Sequence, residues 1–446
     1  MNTTTSDAPT RRRRLFPAAT AAVLGVGLFL AGGVGLAPVP GSRAPAPVGL
    51  HESGTAPGSL SADITRLQKH LRDTPQDAVA LASLGLAYVQ QAKIIVDPTY
   101  YPKAEAVLTE SLKLDSKDNF TAMGAMAALE AARHNFAAAL GWSQQAIAVS
   151  PESPTLYGTL ADAYTQLGRY PEAFRAVQRM VDLRPDTPSL SRTSYTWELR
   201  GDIDAATENM KRALDDAGSP ADRAFALQCL SQLAFGNGDP RTALTRADDG
   251  LLAAPSSAAL LASKARAEAA LGKVDAALAD YTRTVARVPQ PEYVVELGEL
   301  FQSLGRAEEA DQQYRIFRSE EKLFTDNGVA LDSDATLFEA DHGDPGRALT
   351  LAEQGLRIRP FLEMHDAYAW ALHVNGRDGE ALEQSQQATA LGTRNALFHY
   401  HRGMIEKALG RTDAARDELE QALRINPAFS PLQAPSARAA LLEARS

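Results

Sequence analysis

The stretch from Ser153 to Pro185, SPTLYGTLADAYTQLGRYPEAFRAVQRMVDLRP, decides the fold, because it contains two helical patterns separated by a turn. In the first pattern apolar residues such as Leu156 and Leu160 recur every three or four positions, so one face of a helix is apolar. Gly168 supplies the left-handed residue that ends this helix, and Pro185 ends the second. Neither helix can bury its apolar face alone. The pattern therefore predicts a hairpin that stacks on similar neighbours.

Two of these markers recur along the chain at a constant offset. A glycine ends the first helix of each hairpin, and an alanine follows five positions later in the second helix, where a small side chain lets two helices cross closely. The pairs are Gly168 with Ala173, Gly201 with Ala206, Gly238 with Ala243, Gly272 with Ala277, Gly305 with Ala310, Gly343 with Ala348, Gly376 with Ala381, and Gly410 with Ala415. With two earlier hairpins, they predict an all-α fold of about ten hairpins.

The residue types at these positions identify the kind of hairpin. Tyr157, Leu160, Ala161 and Tyr164 on the first helix, with Ala173 on the second, resemble the tetratricopeptide repeat, a helical hairpin of about 34 residues. The resemblance implies a right-handed α-solenoid whose first helices line a concave face that binds a partner. Four stretches, numbered 97–105, 341–343, 367–371 and 397–411, also resemble a bacterial family of exported or membrane-anchored repeat proteins of unassigned activity.

The chain before residue 60 predicts export. Residues 1–14 form a cationic tail that contains Arg11 to Arg14 and stays in the cytoplasm. Residues 15–37 carry no charge and are long enough to cross a bilayer, so they are either a cleaved signal peptide or a transmembrane anchor. Residues 38–59 are rich in Pro, Gly and Ser and predict a disordered linker. The remaining segments are a leading helix over 60–76, the solenoid over 77–430 and a capping helix over 431–446.

Composition argues against several classes of function. The net charge of -10 disfavours nucleic-acid binding, which needs a basic surface. Cys229 is the single cysteine, which excludes a disulfide within the chain and any CxxC motif. The sequence contains no HExxH, no GxSxG and no phosphate-binding loop. We therefore expect no catalytic residue and no cofactor.

One group of histidines leaves a metal site open as an alternative. His365 and His399 occupy equivalent positions in adjacent repeats, whereas His399 and His401 diverge on their helix. Zinc needs three or four ligands close to one point. We interpret these side chains, with His373, as polar groups on helix surfaces. The alternative is an accessory subunit or metal-dependent enzyme that uses His and Asp groups of repeats eight to ten.

The concave positions of the repeat give the candidate binding residues. Carried onto repeats nine and ten by the resemblance, they are Asp366, Trp370, His373, Tyr400, Met404 and Lys407. Earlier repeats place there Asp162, Tyr195, Glu198, Gln228, Gln232, Phe235, Arg266 and Glu299. Aromatic rings among polar groups suit an extended peptide or a partner helix. The competing interpretation of Trp370 is that it belongs to the core.

These observations predict a noncatalytic scaffold outside the cytoplasmic membrane that binds proteins or peptides. A repeat protein held on the cytoplasmic side by the same N-terminal segment is the other alternative. Two charged pairs, Arg402 with Glu406 and Lys264 with Glu268, stand where the repeat usually has apolar residues. Each pair has the i, i+4 spacing at which opposite charges on a helix neutralise each other, unless they form a polar seam that admits a ligand.

Overall fold

A computed structural model describes residues 57–444, and within that range the chain forms twenty-two α-helices and no strand. Helix α1 (Pro57–Asp73) leads into ten hairpins, and α22 (Gln433–Ala444) follows them. The hairpins are α2 (Ala78–Ile95) with α3 (Tyr100–Leu114), α4 (Phe120–Ala132) with α5 (Phe136–Val149), α6 (Pro154–Gln166) with α7 (Tyr170–Leu183), α8 (Thr187–Glu198) with α9 (Ile203–Asp216), α10 (Pro220–Gly236) with α11 (Pro240–Ala253), α12 (Ala258–Ala270) with α13 (Val274–Arg287), α14 (Pro291–Ser303) with α15 (Ala307–Asp326), α16 (Ser333–His342) with α17 (Pro345–Ile358), α18 (Leu362–Val374) with α19 (Asp378–Ala388), and α20 (Ala396–Ala408) with α21 (Thr412–Ile425). The all-α solenoid of about ten hairpins is confirmed.

The predictions for residues 1–14 and 15–37, and for most of 38–59, fall outside the described residues. Residues 57–59, which we placed in the linker, begin α1 instead. Among the described helices, α2 has the length and hydropathy of a membrane span, yet 56% of it lies inside the solenoid. Its apolar residues join the core that α1 and α3 share with it, so α2 is a packed helix of the first hairpin.

The alanines at the constant offset lie at the closest helix crossings. All eight, from Ala173 to Ala415, are between 0% and 2% exposed, so no larger side chain fits there without displacing a helix. Cys229 is also buried, and burial raises the pKa of its thiol. The positions of these alanines confirm the predicted phase of the hairpins.

Local side-chain chemistry fixes where many of the helices begin. Asp239, before α11, accepts a hydrogen bond from the backbone N–H of Thr242 at 3.0 Å, and Pro240 stands at the first helical position. Asp186 and Ser189 form a reciprocal capping box at the start of α8. Such caps satisfy backbone donors that a helix leaves unpaired at its N-terminus.

Seven of the eight predicted turn glycines have a positive φ, and Gly343 does not. The φ of Gly343 is −132°, because α16 ends differently: the Glu339 carboxylate accepts the backbone N–H of Asp344 at 2.9 Å. Conversely, His134 has a φ of 61° and takes the glycine position in the second hairpin. The identity of a turn residue therefore predicted most of these turns but not all of them.

The solenoid winds into a superhelix, and successive superhelical turns are in contact with each other. Loops that join hairpins late in the chain lie against the turns of hairpins two to five. The hydrogen bonds are His134 Nδ1 with Ala330 O (3.0 Å, 196 residues apart), Arg359 to Gln166 (2.7 Å, 193 apart), Thr393 Oγ1 to Leu199 O (2.5 Å, 194 apart) and Asn426 Nδ2 to Phe235 O (2.8 Å, 191 apart). The separation stays nearly constant, so hairpins stack on hairpins between five and six repeats away.

This second layer of contact makes three turn glycines, Gly168, Gly201 and Gly238, unfavourable places for a larger residue, and a Cβ on Gly238 would overlap the Ile425 carbonyl oxygen. A Cβ on Gly168 would overlap the Pro360 carbonyl oxygen, and one on Gly201 would overlap that of Gly392. A Cβ on Gly272, which faces no later turn, would meet nothing within 4 Å. Gly168, Gly201 and Gly238 therefore have two roles. Each adopts the positive φ of its own helix–helix turn, and each leaves room for the distant loop that packs against that turn.

Candidate functional site

The predicted binding residues lie on α18 and α20, and Asp366 is the most buried of them. Its side chain is 1% exposed and pairs with His401, whose Nδ1 lies 2.9 Å from Asp366 Oδ2. Within residues 57–444, Asp366 Oδ1 and His401 Nε2 have no hydrogen-bond partner. His401 was not among the predicted residues, although its neighbour Tyr400 was. The pair fixes α18 against α20 beneath the surface.

Trp370 lies at the centre of a ring cluster. Its Nε1 donates to Asp341 Oδ1 at 2.7 Å, and its ring stacks on the His401 ring with centroids 4.3 Å apart. The rings of Tyr400 and His373 lie at 5.8 Å and 4.9 Å. Trp370 is 7% exposed, which agrees with the competing interpretation that it belongs to the core.

Helix α22 packs on this ring cluster rather than only closing the end of the solenoid. Trp370 and Tyr400 share one apolar cluster with Ala437, Ala440 and Leu441 of α22. The cluster includes residues from α16, α18 and α20, which are the first helices of the last three hairpins, together with Leu419, Ala422 and Leu423 of the preceding helix α21. The predicted concave surface of repeats eight to ten is therefore already in contact with a helix.

The outer part of the predicted site meets α22 through polar groups. Lys407 Nζ lies 2.5 Å from a carboxylate oxygen of Glu443, and Met404 is half-buried in the shared cluster. His373 instead pairs with Asp378 on its own hairpin, at 2.5 Å. Five of the six predicted residues thus surround the packed rings or α22, and His373 lies at the margin.

The remaining histidines are held by single partners. His365 Nδ1 lies 2.8 Å from the Gln384 side-chain oxygen, and His399 Nδ1 lies 2.6 Å from Glu418. Among the described residues, no group of three or more His, Cys, Asp or Glu side chains is placed to hold a metal ion. The donor set that the metal alternative requires does not come together in this part of the chain.

A second group of charged side chains belongs to first helices of hairpins four, seven, eight and nine. We call Glu198, Glu292, Asp334 and Glu363 the carboxylate cluster; all four are half-buried. Tyr195 donates its hydroxyl to Glu363 at 3.3 Å, which joins α8 to α18. Burial, and then the charge of Glu363, raise the pKa of Glu198 to about 7.

Two of the other three members are also poorly neutralised, whereas Glu292 pairs with Arg266 at 2.9 Å. Burial and the nearby charges of Asp332 and Glu292 raise the pKa of Asp334 well above its ordinary value, while Arg359 opposes this shift. Burial raises the pKa of Glu363 in the same direction. By contrast, Asp162 is matched by Arg192, with two hydrogen bonds of 2.9 and 2.8 Å. The inner surface therefore combines matched charges with an excess of carboxylates.

In the two charged pairs that we expected to neutralise themselves, three of the four side chains form ion pairs with other residues. Arg402 Nε lies 3.2 Å from Glu418, and Glu406 pairs with Arg411 at 3.3 Å. Lys264 pairs with Asp248 at 3.0 Å, across the boundary between two hairpins. The prediction was wrong because spacing along one helix ignores carboxylates that the neighbouring helix supplies at a shorter distance.

Comparison with known proteins agrees with this geometry. Family models of the tetratricopeptide repeat match residues 129–192, 230–290, 263–319 and 396–429. The hairpins within these residues are therefore tetratricopeptide repeats. No curated protein matches the chain in sequence.

Solved structures of similar fold are distant in sequence. A tetratricopeptide repeat protein from Parabacteroides merdae is 18% identical, with 58% of this chain and 99% of that chain covered and a TM-score of 0.34. The type IV pilus biogenesis factor PilW is 18% identical, with 48% and 94% covered and a TM-score of 0.39. Human IFIT1, solved as a dimer with PPP-AAAA, is 13% identical, with 82% and 87% covered and a TM-score of 0.44. At such identities the likeness concerns the fold alone.

Proposed function

We propose that this tetratricopeptide-repeat protein is a noncatalytic scaffold that binds a protein or peptide partner on the first helices of its last three hairpins. The observation that carries the proposal is the position of α22. A helix from the chain itself already lies against Trp370, Tyr400 and Lys407, so this surface has the shape and chemistry to hold a helical segment. Recognition of a helix in a groove relies on such apolar anchors with polar contacts around them.

A rigid surface of this kind favours binding without chemistry. Stacked hairpins form the surface before a partner arrives, so the scaffold loses little conformational entropy on binding. The carboxylate cluster lies on the first helices of hairpins four, seven, eight and nine, where its ionised members would attract cationic side chains of a partner. We therefore assign selection of a partner to the arrangement of side chains rather than to a reactive group.

Site-specific photocrosslinking tests this function directly. We would place a benzophenone side chain at Lys407, at the edge of the surface, and as a control at Leu252, which is 84% exposed on the second helix of hairpin five. In cells that make the protein, position 407 should give a discrete adduct with another protein, and position 252 should not. Equal adducts from both positions, or an adduct from position 252 alone, would rule the surface out.

We also propose that residues 15–37 place the repeats outside the cytoplasmic membrane. The support is the positive block before an uncharged apolar run, which orients a segment with its N-terminus inside. A protease added to intact cells, or to spheroplasts if an outer envelope blocks access, should then degrade the repeats. Protection of the repeats in intact spheroplasts, with degradation only after lysis, would place them in the cytoplasm instead.

A further inference from the structure

Helix α22 buries one narrow face that is made of small side chains. Ala434, Ala437 and Ala440 are 1%, 0% and 3% exposed, and Leu441 is 8% exposed. Their spacing of three or four residues puts them on the same side of the helix. The next residue, Leu442, is 69% exposed and points away. Small side chains let α22 approach the Trp370 and Tyr400 rings closely, but they bury little apolar area.

Polar contacts hold both ends of α22 at the surface of the molecule. Near its start the Gln433 side chain donates to Asp341 Oδ2 at 3.1 Å, and near its end Glu443 pairs with Lys407. Both contacts are solvent-exposed, where ion pairs and hydrogen bonds contribute little to stability. These two contacts set the direction and position of α22 but add little to the free energy that holds it in place.

These features make α22 more weakly attached than any helix of the last three hairpins, which it follows in the chain. A helix of twelve residues is marginal in water by itself, so α22 depends on its contacts. The helices of each hairpin, in contrast, pack along their whole length on a partner helix and on the next hairpin. An element with few buried contacts opens locally at a smaller free energy than its neighbours.

We propose that α22 is an intramolecular ligand that a partner displaces, and that the partner binds through a helix of the same pattern. We call Asp341, Trp370, Tyr400, Met404 and Lys407 the α22 seat. The partner helix presents small residues at successive spacings of three, a side-chain amide near its start and a carboxylate near its end. This proposal rests on the proposed function and adds the class of partner and its control.

Each part of the partner pattern follows from one side of the seat. The close rings of Trp370 and Tyr400 leave room for alanine-sized side chains, because a larger group would have to move a buried ring. Asp341 accepts a hydrogen bond at one end, and Lys407 attracts a carboxylate at the other. The two polar contacts lie at opposite ends of α22, so they also fix the orientation of the bound helix.

A peptide of the chain's own C-terminal sequence is the probe for this proposal. In the full chain, Ala437→Glu with Ala440→Glu puts two charges on the buried face, and burial of unpaired charge should expel α22 from its seat. The matched control is Ala439→Glu with Leu442→Glu, which adds the same charge on the exposed face. A fluorescein-labelled peptide of residues 431–446 would be titrated into each protein, with fluorescence anisotropy as the readout.

The expected result is a Kd at least twentyfold lower for the expelled variant than for the wild type or the control. In the latter two the tethered helix competes at high effective concentration. Equal binding to all three proteins, or no binding to an expelled variant whose helical content and melting match the control, would overturn the proposal. The wild-type protein could also form a dimer at the assay concentration by exchanging α22 between two copies. The occupant of the seat would then be a second copy of the chain, which would also overturn the proposal.

Hydrogen exchange keeps the proposal testable if the expelled variant does not fold. In the wild-type chain, amides of α22 should exchange at least tenfold faster than those of α20 and α21, and equal exchange would make α22 a permanent part of the last repeat.

The scaffold function and the displacement of α22 can be contradicted separately. Absence of any adduct from position 407, in both the wild type and the expelled variant, would contradict the scaffold function. An adduct that is no stronger in the expelled variant than in the wild type would contradict only the displacement of α22 by a partner.

Discussion

Arg359 donates two hydrogen bonds, of 3.0 and 2.7 Å, to the side-chain oxygen of Gln166, which lies 193 residues earlier in the chain. Arg359 is 1% exposed, and its guanidinium also lies 3.6 Å from Asp332 and over the Phe361 ring. Burial of a guanidinium is costly unless its charge is paired, and Asp332 supplies the opposite charge. This one residue therefore joins two successive turns of the solenoid and requires that they stay in contact.

A double-mutant cycle measures that contact. Gln166→Ala and Arg359→Ala, alone and combined, should give a coupling free energy of about 1.5 to 3 kcal/mol, the range for hydrogen bonds to a charged group. Urea unfolding followed by circular dichroism gives the four free energies. Arg169→Ala with Glu172→Ala removes an exposed pair within one helix and should show a clearly smaller coupling. Similar couplings for both cycles would mean that the turns do not touch in solution.

Alanine at two equivalent glycines separates the turn from the contact between turns. Gly201 and Gly272 have φ values of +73° and +75°, so alanine costs about 1 kcal/mol at either position from the backbone alone. Gly201→Ala should cost about 1 to 3 kcal/mol more, because its Cβ overlaps the Gly392 carbonyl and the backbone there must move. Thermal unfolding of the two variants checks this, and equal melting temperatures would contradict it.

The carboxylate cluster should make the protein less stable as the pH rises. Glu198 has a pKa of about 7 in the folded chain, above the value of about 4.3 that glutamate has in unfolded peptides. Between these two pKa values the folded state binds more protons than the unfolded state. The contribution of Glu198 to stability is therefore complete below the unfolded pKa and is lost as the pH rises through 7. Glu198→Gln should therefore stabilise the protein by about 1 to 3 kcal/mol at pH 8 and by much less at pH 5.

Melting temperatures between pH 5 and pH 8 would show this effect, with Glu208→Gln as the control. Glu208 is exposed on α9, so its replacement should leave the pH dependence as it is in the wild type. A wild-type protein whose melting temperature does not fall over this range relative to Glu198→Gln would show that Glu198 is not buried beside Glu363 in solution.

A larger residue at one helix crossing tests the packing of the hairpins. Ala243 is 0% exposed between α10 and α11, and leucine there should cost about 1 to 3 kcal/mol because neighbouring helices must separate. Ala221→Leu adds the same atoms at an exposed position near the start of α10 and should be close to neutral. Chemical denaturation distinguishes the two, and a neutral Ala243→Leu would place this alanine outside the crossing.

Local patterns predicted the hairpins because they report contacts between neighbours in sequence. A glycine and an alanine five positions apart fixed each pair of helices, and each such alanine proved to be buried. The same pattern failed at Gly343, where the Glu339 side chain replaces the usual turn. A turn glycine thus predicts a helix end well, but a carboxylate from the helix itself can change the geometry of that end.

The sequence held no signal for contacts between distant hairpins. Gln166 and Arg359 stand in ordinary repeat positions, and only the coiling of the whole array brings them together. The predicted site was incomplete for the same reason, because the sequence pattern does not report contacts between segments that are far apart in the chain. The repeat motif placed Trp370 and Tyr400 on the correct helices, but it could not show that α22 turns back onto them, since the direction of a terminal helix depends on the loop before it.

The near-constant separation of the facing segments has a consequence for how this array can change in length. Most repeat arrays accept the gain or loss of a unit, because each unit touches only the ones beside it. Here, excision of a single hairpin between the fifth and the eighth would shift Arg359, Thr393 and Asn426 away from their partners all at once. Gain or loss of a unit between the second hairpin and Asn426 therefore breaks several distant contacts together.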